Sequence, residues 1–504
     1  MTLQSNNPVA PLSQQDRQDV PLKMVGGSNF GRYSKISAEK TTNMIVSDNA
    51  LVPYAGYKSI LQNPLILSTG VGRGIYSSTD GNFIIMVIGG DVYRVNHTFN
   101  AQLVNVVPLL TSSGDVFITE NNNKEIVITD GEAVYVYLWV SPYTFSGSGG
   151  YTQNNFLFPW GKPGYCSFQN GRVIIAVVGT QDWVLSAPNN ALSWPMDAQH
   201  QGKVQSKPGF VQAAVPVPGG GNNLLVFGST VGESWTDVGT ALFPYQRNST
   251  FNIDYGITNP STIAALDNFV VWISTNESAG PTLMYSKGGG DPQSISTDGI
   301  DFLLSKIKFP TSATGFLFRQ DGHLIYQFTF NQDNLSIAYD FETELPFNVT
   351  DEKLDYHPAR QVVYFNGSYY FVSFNDNKLY QFDTSTTNAQ YDLDDIREIP
   401  RIRICPPLRL TSQRQFICRS LAFTTENGLL NPQDGITAAV DLSISRNGAA
   451  SFGNSVRREM NPSGGYKSRF IWQSCGMAND LTPQFRFYGL GRWVVMDGIA
   501  EVYQ

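Results

Sequence analysis

Ser78-Thr79-Asp80-Gly81-Asn82 runs into Phe83-Ile84-Ile85-Met86-Val87-Ile88, then Gly89-Gly90-Asp91, then Val92-Tyr93-Arg94-Val95. A turn cluster, an apolar run, a second turn and a mixed run spell strands joined by hairpins. Asp-Gly supplies the positive φ that a two-residue hairpin needs. The middle run is apolar at every position rather than at alternate ones, so both faces of that strand are expected to be covered.

The same unit recurs. Apolar runs begin near Phe83, Ile126, Val173, Leu224, Phe269, Leu324 and Tyr369, at steps of 43, 47, 51, 45, 55 and 45 residues between those positions. Gln169-Asn170-Gly171-Arg172 precedes Val173–Val178; Asp321-Gly322-His323 precedes Leu324–Phe328; Asn366-Gly367-Ser368 precedes Tyr369–Phe374. A period of this size marks a propeller or solenoid. In a propeller, neighbouring blades cover both faces of each sheet. The expected fold is therefore all-β, a seven-bladed β-propeller. The alternative is a large sandwich or stacked barrels, whose strands repeat without grouping.

Composition agrees with many short strands. Of 504 residues, 15% are charged and 12% aromatic, with 46 Gly and 27 Pro. Net charge is −8, from 34 Lys plus Arg against 42 Asp plus Glu. That balance argues against a DNA-wrapping protein, which carries a basic surface, but not against a wall that DNA passes. Cys166, Cys405, Cys418 and Cys475 include no C-x-x-C, so no zinc knuckle or redox motif is indicated. Cys405 and Cys418 are placed to face each other across a hairpin, with or without a bond. The N-terminus lacks a basic start and apolar core, so no secretory signal is read. No apolar run approaches the ~20 residues of a membrane helix. Synthesis in a cytosol without membrane insertion is expected, and the sequons at Asn248 and Asn348 read as chance matches.

Three regions are expected: an N-terminal arm and strap over 1–65, with 1–20 as a flexible arm; the propeller over 66–395; and a C-terminal β-sandwich-like domain over 396–504. In the last, Pro400-Arg401-Ile402-Arg403-Ile404 and Val440–Ser445 alternate, and Arg469–Trp472 and Gln484–Tyr488 continue the pattern. Its arginines form either a contact surface for an acidic partner or a solvated strand face.

No catalytic, cofactor-binding or metal-binding residue is assigned. Gly70, Gly72 and Gly74 lead into a strand, so no helix N-terminus awaits a phosphate. Gly219–Gly221 and Gly288–Gly290 read as flexible loops. His97, His200, His323 and His357 lack metal-ligand spacing. Some propellers are glycosidases, which need two carboxylates flanking a cleft. Asp182, Glu233, Asp237 and Asp267 are the loop candidates. Residues 443–452, SISRNGAASF, are like a sialidase turn, but Arg446 and Phe452 replace its aspartate and tryptophan, so a structural turn is read. Trp160, Trp183, Trp194 and Trp235 either stack on sugars or pack between blades; for Trp183 and Trp235, which follow apolar runs, packing is favoured.

Several segments, in order, resemble a family. Asn43-Met44-Ile45 followed by Leu51–Tyr57 looks like the opening of the tail hub, or nozzle, proteins of short-tailed bacteriophages, the packaged-DNA stabilisation proteins. Leu225–Thr230, Glu233-Ser234-Trp235, Tyr255-Gly256-Ile257 and Ser261–Ala264 resemble its mid-chain unit. Leu442–Gly448 and Phe485-Arg486-Phe487 resemble its C-terminal pattern. The resemblance implies no catalytic motif. It implies a hexameric tube in the virion tail below the portal and its adaptor protein, closing the DNA channel and docking tail fibres or spikes. The alternative is a carbohydrate-binding or glycoside-hydrolase propeller.

Overall fold

The computed structural model describes residues 17–33, 38–240, 243–278, 280–410, 412–430, 438–460, 467–489 and 491–503. The chain forms two compact units. One holds residues 55–384 and 388–399. The other combines residues up to 54, 385–387 and those from 400 onward.

In the first unit, six consecutive meanders of four antiparallel strands form blades. Blade 1 runs through Gly72–Ser77, Phe83–Ile88, Asp91–Asn96 and Ala101–Leu103. Blade 2 holds Phe117–Glu120, Glu125–Thr129, Val134–Leu138 and Phe145–Gly147. Blade 3 holds Pro163–Gln169, Arg172–Val177, Asp182–Leu185 and Gln201–Lys203. Blade 4 holds Val211–Pro216, Asn223–Gly228, Gly232–Asp237 and Tyr245–Ile253. Blade 5 holds Ala264–Leu266, Phe269–Ser274, Thr282–Lys287 and Gln293–Ser294. Blade 6 holds Ala313–Gln320, His323–Phe330, Leu335–Asp340 and Leu345–Asn348.

The expectation of seven like blades is corrected to six. The seventh recurrence, at Tyr369, falls in a six-stranded sheet of different make-up. Its consecutive strands Ala359–Phe365, Ser368–Ser373 and Leu379–Asp383 are joined by Gly56–Ser59 from the start of the unit. Asn388–Gln390 then pairs parallel to that strand and carries Ile396–Glu398. Lys58 and Asp383 fix the junction at 2.9 Å. Ala359–Phe365 contacts the first strands of blades 6 and 1.

The hairpins form as their residues dictate. Asn170-Gly171, Asp321-Gly322 and Asn366-Gly367 all take positive φ at both positions. The middle strands are buried on both faces, completely so in Phe83–Ile88. Adjacent blades share these side chains: Ile174, Trp183, Leu224 and Trp235 belong to one apolar cluster spanning blades 3 and 4. The segment Tyr255-Gly256-Ile257 acquires a reason here. Gly256 donates to the Thr275 carbonyl at 2.8 Å, and Ile257 to Gly228 at 3.1 Å. A Cβ at Gly256 would strike the backbone of Ser229 and Thr230, so only glycine lets the blade 4–5 connection lie on that turn.

The second unit is a sandwich of two sheets. One holds Arg17–Leu22, Gly498–Tyr503, Phe416–Leu430, Gly491–Val495, Ala50–Pro53 and Met44–Ser47, with Lys467–Ala478 paired to Phe416–Leu430. The other runs Lys40–Thr42, Arg401–Ile404, Thr482–Tyr488, Ala439–Ser445, Val456–Glu459. Leu421, Phe423 and Trp472 from the first meet Leu442, Phe485 and Phe487 from the second in one core. Of the segment grouped as an N-terminal arm and strap over 1–65 and read as edge strands or a strap, the strands up to Pro53 are sandwich strands, with Met44–Ser47 at a sheet edge, and Gly56–Ser59 is a propeller strand. Of the arm over 1–20, residues 1–16 lie outside the described residues, and Arg17 begins an edge strand. The fully buried Arg403 holds the incoming chain by donating to Gly27 O at 2.9 Å, Thr41 Oγ1 at 2.8 Å and Glu39 Oε1 at 2.5 Å.

Candidate functional site

Residues at the entry to blades 1, 2, 3, 5 and 6 and of the composite sheet line a cavity of about 310 Å³. Ile75, Tyr76, Phe117, Tyr165, Phe316 and Gln361 are among its lining residues, none of which is charged. Gln361 bridges neighbouring strands, accepting from Ile75 N at 3.2 Å and donating to Val116 O at 3.3 Å. This volume suits a small molecule.

The four acids named from the sequence do not converge as a set. Asp237 lies beside the turn between the first two strands of blade 4, because Thr236 pairs with Asn223, and Asp267 occupies the equivalent turn of blade 5. Asp182 and Glu233 lie at the opposite strand ends, near the next turn. Each has a local partner. Asp182 faces Lys203 at 3.5 Å, Asp237 accepts from Asn170 at 2.7 Å, and Asp267 meets Arg319 at 2.6 Å. Glu233 is buried and accepts from Gln205 N at 2.8 Å, Ser206 N at 2.7 Å, Ser206 Oγ at 2.7 Å and Trp235 Nε1 at 3.0 Å. It anchors the loop that enters blade 4.

The aromatics and histidines are likewise engaged. Trp183 and Trp235 meet edge-to-face at 5.3 Å between blades 3 and 4. Trp194 is buried against Phe158, and Trp160 packs at the edge of the blade 2–3 cluster. His97 stacks on Phe365, and His200 and His323 bind Asp197 and Asp340 at 2.6 and 2.9 Å. Burial pushes His357 down to about 3 among Tyr57, Phe371 and Phe382. Among the described residues no His, Cys, Asp and Glu group is arranged to hold a metal, and no helix is long and apolar enough to cross a membrane. The four cysteines are free and buried. Cys405 contacts Met24 at 3.5 Å, whereas Cys418 neighbours Cys475, so the 405–418 pairing does not occur.

The sandwich unit carries the feature that sequence reasoning missed. Across its first sheet, Met477, Ile417 and Tyr503 stand in one register row, and Ile471, Ala422, Ile499 and Pro21 in another. Ile417, Ile471, Met477 and Ile499 are 37–54% exposed. Charged groups border them: Arg17 meets Glu501 at 3.3 Å, and Arg419 donates to the Tyr503 hydroxyl at 2.9 Å. Glu501, registered opposite Ser420, lies between the two rows, so exposed apolar side chains stand beside charged ones across this face; exposed apolar rows are a mark of protein interfaces. The signal was present in Lys467–Ala478, whose outward positions hold Ile471 and Met477 beside Lys467 and Arg469.

A propeller joined in one chain to a β-sandwich is the architecture to set beside its sequence relatives. The chain belongs to the family described as "Bacteriophage P22 Gp10, beta-propeller", whose pattern matches residues 41–388. No curated protein matches it. Among solved structures, a streptogramin B lyase is 11% identical at a TM-score of 0.42, covering 65% of this chain and 97% of that one. A catalytically inactive virginiamycin B lyase from Staphylococcus aureus with quinupristin has the same identity and score, covering 65% and 98%. Likenesses this distant carry no argument about activity.

Proposed function

We propose that the chain is a non-catalytic structural protein of a phage tail. Copies assemble as a hexameric hub or nozzle that extends and closes the DNA channel below the portal adaptor. The ring retains packaged DNA and docks fibres or spikes. The observation that carries this reading is the pair of apolar rows around Ile417 and Ile499, which asks for a protein partner. Family membership supports the virion setting.

The 310 Å³ cavity is far too small for a duplex, so DNA passes through the space that copies enclose. With −8 per chain, six copies carry six times −8, or −48. Such a wall does not displace counterions from phosphates as Lys- and Arg-rich binders do, which suits passage rather than capture. The local engagement of Asp182, Glu233, Asp237 and Asp267 supports a scaffold over a glycosidase. Mass photometry of the purified chain and of Ile417→Asp/Ile499→Asp tests the reading. A six-fold mass for the first and a monomer for the second are expected; a monomer for both would overturn it.

A further inference from the structure

We propose that the face bearing Ile471 and Ile499 seats on the acidic groove beside residues 392–395 of a second copy of this chain, a head-to-tail contact. The inference rests on the ring reading above and names the two surfaces that meet.

The face extends beyond its apolar rows. Along Lys467–Ala478, Phe470 and Trp472 enter the core, so Lys467, Arg469 and Ile471 share the outward side. Arg469 is registered opposite Thr424, whose carbonyl accepts from the exposed Met496 at 3.1 Å. Lys467 is registered opposite Glu426. Lys467 and Arg469 are both exposed, and neither makes an ion pair among the described residues. Exposed Ile471, Ile499 and Met496 thus stand near two cations that hold no carboxylate.

The groove belongs to the propeller unit and has a volume of about 1190 Å³. Ile60, Leu61, Phe99, Asp392, Leu393 and Asp394 are among its lining residues. Its two lining cations are already matched: Lys58 meets Asp383 at 2.9 Å, and Arg397 meets Glu352 at 2.9 Å and Asp395 at 2.8 Å. Asp392 faces Lys378 at 2.8 Å and is still 67% exposed. Asp394 is exposed and makes no ion pair among the described residues. Between these two aspartates Leu393 is 88% exposed. The groove therefore offers what the face lacks: negative charge beside apolar surface.

Complementary charge sets which surfaces meet and in which register. The face and the groove differ from each other and lie on one chain, so their contact is heterologous. Contacts of that kind run head to tail and close into a ring when the rotation between copies permits. A face that met only its own counterpart would stop at a dimer.

The test follows assembly of the full chain and two charge-reversed variants by mass photometry. Lys467→Glu/Arg469→Glu carries acid on both surfaces, and Asp392→Lys/Asp394→Lys carries base on both. The unsubstituted chain should form rings. Each variant alone should lose them by about tenfold or more, because like charges meet at every contact. An equimolar mixture should regain rings of even copy number, because alternating copies set acid against base at each contact. A monomeric unsubstituted chain would overturn the contact together with the ring reading. Rings that persist in Asp392→Lys/Asp394→Lys, or folded variants that do not recover on mixing, would overturn the contact and leave the ring reading standing. If a variant fails to fold, carbodiimide cross-linking of unsubstituted rings assembled from isotope-labelled and unlabelled chains decides. A link from Lys467 of one chain to Asp392 or Asp394 of a differently labelled chain is expected, and its absence overturns the contact.

Discussion

The Arg360 guanidinium stands 2.6 Å from the Asp115 carboxylate, 245 residues away in sequence, and also donates to the Gly72 carbonyl at 2.9 Å. One side chain of the composite sheet thereby grips blade 1 and the segment entering blade 2. Both partners are largely buried, so removing either strands the other. Asp115→Ala is expected to cost about 1–3 kcal/mol, the partial exposure reducing the full buried-pair penalty. Urea denaturation of the variant checks this, and an unchanged midpoint would show that the contact contributes nothing.

Glu233→Gln keeps the shape of a side chain that five donors converge on, Arg247 Nη1 at 3.4 Å among them, but turns one acceptor oxygen into a donor. Facing donors that no longer pair should cost about 1–3 kcal/mol. The loss should show first as faster proteolysis near Gln205 and Ser206.

Gly256→Ala places a methyl group against the backbone of Ser229 and Thr230, neither of which is a movable side-chain tip. Overpacking of this kind costs about 1–3 kcal/mol. Thermal denaturation should show a lowered midpoint, while the same change at Gly81, whose Cβ would meet only open space, should cost only the strain of its positive φ.

His357 gives a pH signature. Its ordinary value is 6.5, and burial lowers it to about 3 in the folded chain. From 6.5 downward the unfolded chain binds a proton that the folded chain refuses, so its stabilising contribution is full above 6.5. It is lost as pH falls towards 3, by up to about 1.4 kcal/mol per pH unit. Chemical denaturation at about pH 7 and about pH 5 should show a larger drop for the natural chain than for His357→Phe. Equal drops would mean that other groups govern the acid side.

The parts of this fold that were legible are those made by local sequence. Asn170-Gly171 and the run after Val173 declare a hairpin without help from the rest of the chain. The composite sheet was not legible, because Gly56–Ser59 pairs with a strand more than 300 residues later and carries no turn signal linking them. Met44–Ser47 and Ala50–Pro53 read as edge strands or a strap; they pair with each other, and only Ala50–Pro53 reaches the far end of the chain, through Leu51 opposite Val495. The packing role of Trp183 and Trp235 was readable from the apolar runs they follow. The exposed rows were not, since Ile471 and Ile499 come to flank Ala422, and Met477 and Tyr503 to flank Ile417, only through the pairing of strands distant in sequence.

The central claim is that copies of this chain close into a ring through surfaces such as the Ile417–Ile499 face. Electron micrographs of the purified full chain test it most directly. Class averages should show closed rings of six copies around an open centre, lost in Ile417→Asp/Ile499→Asp. Single-copy particles at every concentration, unchanged by the substitutions, would contradict the account.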